Sequence, residues 1–95
     1  MFVVILTYQK PLSEVDAHLA AHRGFLETCY QKNQLIASGP QNPRTGGIFI
    51  SQLKNRSEMD VLIAQDPFHK QGIASYQVIE FDPVKSHPDF KAFLS

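Results

Sequence analysis

The chain has little of several things, and each shortage narrows what it can be. One cysteine, Cys29, in 95 residues rules out an internal disulfide and fits a reducing, cytoplasmic setting. Tryptophan is absent. No apolar run approaches the ~18 residues that a membrane-crossing helix needs. Charge of either sign is not in surplus, because nine Lys and Arg balance nine Asp and Glu. A chain without a basic cluster cannot displace counterions from phosphates, so nucleic acid is a poor partner. Gly46-Gly47 lacks the lysine and following helix of a phosphate-binding loop. The apolar N-terminus, MFVVILTYQKP, has no basic stretch ahead of it and is expected to be a first strand rather than an export signal.

What is present is ordinary globular material, 43% hydrophobic and 19% charged, enough for one domain over residues 1–95 with a modest core. Phe2 to Tyr8 is a β-branched run suited to a central strand. After Gln9-Lys10-Pro11, Ser13 with Asp16 has the spacing of a capping box. A long helix is predicted from about Glu14 to Lys32. Leu35 to Ser38 forms a short strand halted by Gly39-Pro40, and Gln41 to Gly47 a polar loop. Ile48 to Ser51 is a third strand. Ser57 is expected to cap a second helix that stops at Asp66, because Pro67 disfavours helical geometry there. Ala74 to Phe81 is the last strand. The tail, His87 to Leu94, offers Phe90, Phe93 and Leu94 for docking.

Strand, helix, strand, strand, helix, strand is the ferredoxin-like α+β order, with both helices on one face of an antiparallel sheet. The other face then needs a cover that this chain lacks. A homodimer, sheet against sheet, is expected, with the tail available to cross to the partner.

The long helix carries one anomaly. At ~100° per residue, Val15, Leu19, His22, Leu26 and Cys29 fall within about 40° of one direction. His22 therefore sits mid-stripe on the buried side, where its ring nitrogens need replacement partners. A backbone carbonyl would serve for a core histidine, and a carboxylate for a working one. Asp66 is a candidate carboxylate. At a helix C-terminus it faces the negative end of the dipole, although an Asx turn before proline would place it there too.

The stretch His22 to Pro40, HRGFLETCYQKNQLIASGP, together with Asp66-Pro67-Phe68 and the nearby Gly72, resembles the YciI-like family. The matching segments run in order from Phe2 to about Pro83. The resemblance implies a ferredoxin-like dimer whose cleft holds a His–Asp pair, here His22 and Asp66, as catalytic centre, with no cofactor. One branch of that family is a cofactor-independent dehydrochlorinase that removes HCl from a chlorinated hydroxyhydroquinone.

The residues suit such chemistry. Histidine exchanges a proton near neutral pH, and a neighbouring carboxylate fixes its tautomer. His22 would take a phenolic proton while Asp66 steadies the imidazolium. Ser38 and the backbone around Gly39 would meet a developing oxyanion, and Arg44 an anionic ring or departing chloride. His18 and His22 stand four apart, as metal ligands do, but the glutamate of the usual motif is missing and no metal is expected. Cys29, on the apolar stripe, reads as a packed thiol. The expectation is therefore a lyase or isomerase acting on a small hydroxylated ring. The competing class is a non-catalytic dimeric module that binds a small molecule in the same cleft.

Overall fold

The computed structural model describes residues 1–94. The apolar N-terminal run becomes β1 (Phe2–Tyr8), a central strand between β3 (Gly46–Ser51) and β4 (Ala74–Glu80), with β2 (Leu35–Pro40) beyond β3. All pairings are antiparallel. Alternation along β1 turns Phe2, Val4 and Leu6 into the core and leaves Val3 and Ile5 on the opposite face. There Val3 sits between Ile50 and Ile79, and Ile5 pairs with Ile48. No helix covers this second face among the described residues, and Ile79 is 42% exposed.

The predicted helix over 14–32 is two helices, α1 (Leu12–Ala17) and α2 (Leu19–Gln31). They break at His18, whose backbone leaves helical values (φ −107°, ψ 3°). The ladder restarts at once, because the His22 amide donates to the His18 carbonyl at 3.0 Å. Nor does the Ser13–Asp16 box form. Pro11 occupies the cap position without a side-chain bond, and its carbonyl accepts from the Glu14 and Val15 amides. Val15 is buried in α1, and only His22 and Cys29 are buried in α2, flanked by half-buried Leu19 and Leu26.

The third helix, α3 (Arg56–Gln65), is capped by Asn55 rather than Ser57. The Asn55 side chain accepts from the Ser57 amide at 2.8 Å, and carboxamide oxygens cap as well as hydroxyls do. Met59, Leu62 and Ile63 are its buried face. It ends before Asp66, and one further turn, α4 (Pro67–Lys70), follows.

Gly39-Pro40 does not halt β2, since both residues pair with β3, opposite Ile48 and Gly47. β2 is an edge strand, where a missing proline N–H is tolerated. β3 likewise starts two residues earlier than the sequence suggested, at Gly46. A Cβ at Gly46 would stand 1.7 Å from the Leu6 carbonyl oxygen. Backbone cannot yield there without opening the β1–β3 ladder. Gly46→Ala should therefore lose about 3 kcal/mol of stability, read as a lowered urea midpoint, and a parent-like midpoint would refute that account.

The tail forms a short 3-10 helix over Pro88–Phe93, and Phe93 and Leu94 share a hollow with Met1, Lys54 and Pro83 of the same chain. No helix in the described residues is long and apolar enough to cross a membrane.

Candidate active site

Asp66 is where the site is assembled. Pro67 fixes the turn between α3 and α4, so Asp66 ends one helix and caps the next. A proline at the first helical position suits such a start. Its Oδ1 accepts from the Phe68 amide at 3.0 Å, which offsets the unfavourable end of α3. The same carboxylate is 0% exposed and needs further donors to remain buried. Two side chains supply them.

The first is His22, 8% exposed, whose Nδ1 lies 2.7 Å from Asp66 Oδ1. A carboxylate only accepts, so Nδ1 carries the hydrogen and Nε2 presents a lone pair. Nε2 has no partner among the described residues, yet no buried polar side-chain atom is left unsatisfied. It is therefore open to solvent, and His22 lines a cavity of about 250 Å³. The ring lies flat on Phe68, centroids 3.9 Å apart and planes within 3°, with Phe49 on a parallel course at 6.0 Å. These contacts and the Asp66 bond fix the imidazole in one orientation.

The second donor is Tyr76 on β4, whose hydroxyl gives a 2.6 Å bond to Asp66 Oδ2. Its position two residues after buried Ala74 marked the face it occupies, but nothing marked its partner. Burial first, then the Asp66 charge and the bond to it, hold the Tyr76 phenol far above its ordinary range. The folded chain thus keeps a proton that the unfolded chain releases near pH 10. Stability from this group is intact below about pH 10 and falls as pH rises past it. Tyr76→Phe should lose about 1.5–3 kcal/mol at neutral pH and decline less than the parent between pH 9 and 11. Parallel declines in urea titrations would count against this.

The cavity lies between α2 and the β1, β2 and β3 strands, with Leu6, Leu19, Leu26 and Phe49 among its walls. Ser38 and Gly39 also line it. The Ser38 hydroxyl is 2.6 Å from that of Tyr30, so one of the two hydrogens is left to point elsewhere. No group of three or more His, Cys, Asp or Glu side chains is placed to hold a metal among the described residues.

The sequence profile of the YCII-related domain matches residues 1–82. The chain belongs to the YCII-related family. Among solved structures it is similar to the 5-chloro-2-hydroxyhydroquinone dehydrochlorinase of Burkholderia phenoliruptrix, determined in complex with 2,5-dihydroxybenzoquinone. Identity is 24%, the TM-score is 0.71, and the match covers 85% of this chain and 93% of that one. The shared fold is the ferredoxin-like α+β sheet. No curated protein matches in sequence.

Other titratable or reactive side chains of this YCII-related chain lie elsewhere. Arg44 does not line the cavity. Its Nη2 donates to Asp16 Oδ1 at 2.6 Å, and its guanidinium stands 6.0 Å from the Tyr8 ring centroid, tying the β2–β3 loop to α1. His18 is the hinge between α1 and α2. His69 is exposed, edge-on to Tyr76 at 5.5 Å. Cys29 is buried, and desolvation, helped by the Asp66 charge, pushes its thiol up, away from the nucleophilic thiolate.

Proposed function

We propose that this YCII-related protein is a cofactor-independent enzyme that moves a proton on a small hydroxylated ring, by elimination or isomerisation. The observation that supports this most directly is the 2.7 Å contact from His22 Nδ1 to a fully buried Asp66, with the opposite ring nitrogen open beside the cavity. A base needs that arrangement, namely one nitrogen anchored and the other accessible.

A chlorinated hydroxyhydroquinone would lose HCl in two proton-transfer stages. His22 Nε2 takes a phenolic proton, the ring shifts to a keto form, and the imidazolium returns that proton to the chlorine-bearing carbon. His22 then removes a second hydroxyl proton, the C–O bond becomes a carbonyl, and the C–Cl electron pair leaves with chloride. The net loss is HCl. Carbon–chlorine reduction and ring oxidation occur within one molecule, so no external oxidant enters. Isomerisation uses the first two transfers alone. Asp66 holds the imidazolium, Tyr76 holds Asp66, and Ser38 with the Gly39 backbone faces the ring oxygens.

The shape of the fold similarity adds a substrate to try first. Purified protein should release chloride from 5-chloro-2-hydroxyhydroquinone, or from a member of a panel of halogenated hydroxyquinols, followed by ion chromatography and ultraviolet absorbance. Saturable binding of every panel member with no turnover of any would point instead to a binding module using the same cleft. The uncovered Val3, Ile5, Ile48, Ile50 and Ile79 face supports a homodimer, for which light scattering should give twice the chain mass.

A further inference from the structure

The cavity contains one charged side chain whose charge is not already committed. Of the chain's three arginines, Arg44 is paired with Asp16 at 2.6 Å and Arg56 with Asp60 at 3.0 Å. Arg23 makes no ion pair or hydrogen bond among the described residues, yet it lines the cavity that His22 lines. No Asp or Glu lines that cavity. Asp66, bonded to His22, is already occupied by that ring, the Phe68 amide and Tyr76, and Glu27, four residues after Arg23, makes no ion pair with it among the described residues. The remaining lining is apolar or neutral, with Leu19 and Leu26 from the same helix and Phe49 from β3.

A guanidinium at the edge of an apolar cavity has a recognisable use. Its aliphatic stem covers apolar surface while its five donors remain available for an anionic oxygen. The apolar walls lower the local dielectric, which strengthens a charge contact made there. A neutral guest would leave this potential unused, and a cationic guest would be repelled by it.

We propose that Arg23 is the anion-recognising residue of the cleft, and that its ligand is a small flat organic anion. The ligand's apolar body lies against Leu6, Leu19, Leu26 and Phe49, and its anionic oxygen, a carboxylate or a ring oxyanion, meets Arg23. This rests on the cleft being the working site, and it gives Arg23 the role that the sequence assigned to Arg44. Recognition of the anion would also set which edge of the ring faces His22, so Arg23 acts as a specificity and positioning residue.

The test uses the full chain and three probes of similar size. Hydroquinone is neutral, 2,5-dihydroxybenzoate carries a carboxylate, and 2,5-dihydroxybenzoquinone carries an acidic enol as its ring oxyanion. Titration calorimetry at pH 7.5 should show at least one anionic probe binding about tenfold tighter than hydroquinone, with the preference shrinking as salt is raised. Whichever anion is preferred identifies the source of the oxygen. Arg23→Gln should remove the preference by weakening the anionic probe about tenfold more than hydroquinone, and Arg23→Lys should restore part of it. Equal affinity for all three probes, or a preference that survives in Arg23→Gln, overturns the assignment while leaving the His22 mechanism untouched. Binding of none of them at millimolar concentration overturns both this assignment and the cleft as the working site. Arg23 is exposed, so thermal melts of the variants should match the parent.

Discussion

His22→Asn should leave a folded protein that turns substrate over about 100- to 10,000-fold more slowly than the parent. The asparagine amide can still donate to Asp66 Oδ1, replacing the 2.7 Å bond from the ring, but it has no second nitrogen to offer the cavity. What disappears is the base alone. His22→Ala is the harsher change, because it also removes the ring stacked on Phe68 and one of the three donors to a buried carboxylate. Breaking a buried pair in this way costs about 3–5 kcal/mol. Initial rates of chloride release and urea midpoints, measured on both variants, separate the two effects. Parent-like turnover in His22→Asn would end the proton-transfer mechanism.

Asp66→Asn should lower turnover by a comparable factor for a different reason. Asparagine caps a helix as well as aspartate, so α4 keeps its start and the side-chain volume is unchanged. The amide offers a single acceptor oxygen, which must serve the Phe68 amide and His22 together, and its NH2 group turns toward the Tyr76 hydroxyl. The negative charge that steadies the imidazolium is gone, although the amide oxygen still accepts from Nδ1. Asp66→Ala adds the loss of the cap and of all three bonds, and should fall by about 3–5 kcal/mol. Substrate affinity in Asp66→Asn should change far less than turnover, since Asp66 lies beneath the cavity rather than in its lining. A variant that keeps full turnover would show the carboxylate to be structural only.

Strand order and the end of α3 were legible because they rest on local chemistry. β1 is seven apolar or β-branched residues in a row, and Pro67 stops a helix by sterics alone. The break at His18 was not legible, since neither proline nor glycine marks it and the helical period continues across it. The caps were misplaced for a related reason. Ser13 and Ser57 have the right side chains at plausible spacing, but Pro11 and Asn55 hold the backbone geometry that decides the matter. His22 was found by phase, because a polar residue in the centre of an apolar stripe needs a partner. Asp66 looked awkward for its charge at a helix end. The structure makes it ordinary as a cap and unusual only in its burial. Tyr76 and Arg23 were beyond reach, for each gains its meaning from residues distant in sequence. Arg44 was singled out by its loop, and its partner Asp16, 28 positions earlier, takes it away from the cavity.

The burial pattern of α2 has a consequence for how the molecule breathes. Of its thirteen residues, His22 and Cys29 are the fully buried ones, with Leu19, Phe25, Leu26 and Tyr30 packed half-buried against the core, so the helix is seated on a seam with a polar contact at its centre. That contact spans 44 positions of sequence, whereas Asp66 reaches Phe68 over two and Tyr76 over ten. If α2 lifts from the sheet, the long-range bond is lost while the two short ones can persist, and Asp66 remains bonded without its histidine. Sub-global openings of this kind are ordinary in proteins. Under the proposed mechanism, the fraction of molecules fit to react is the fraction in which α2 is closed, and the His22–Asp66 contact is itself part of the latch.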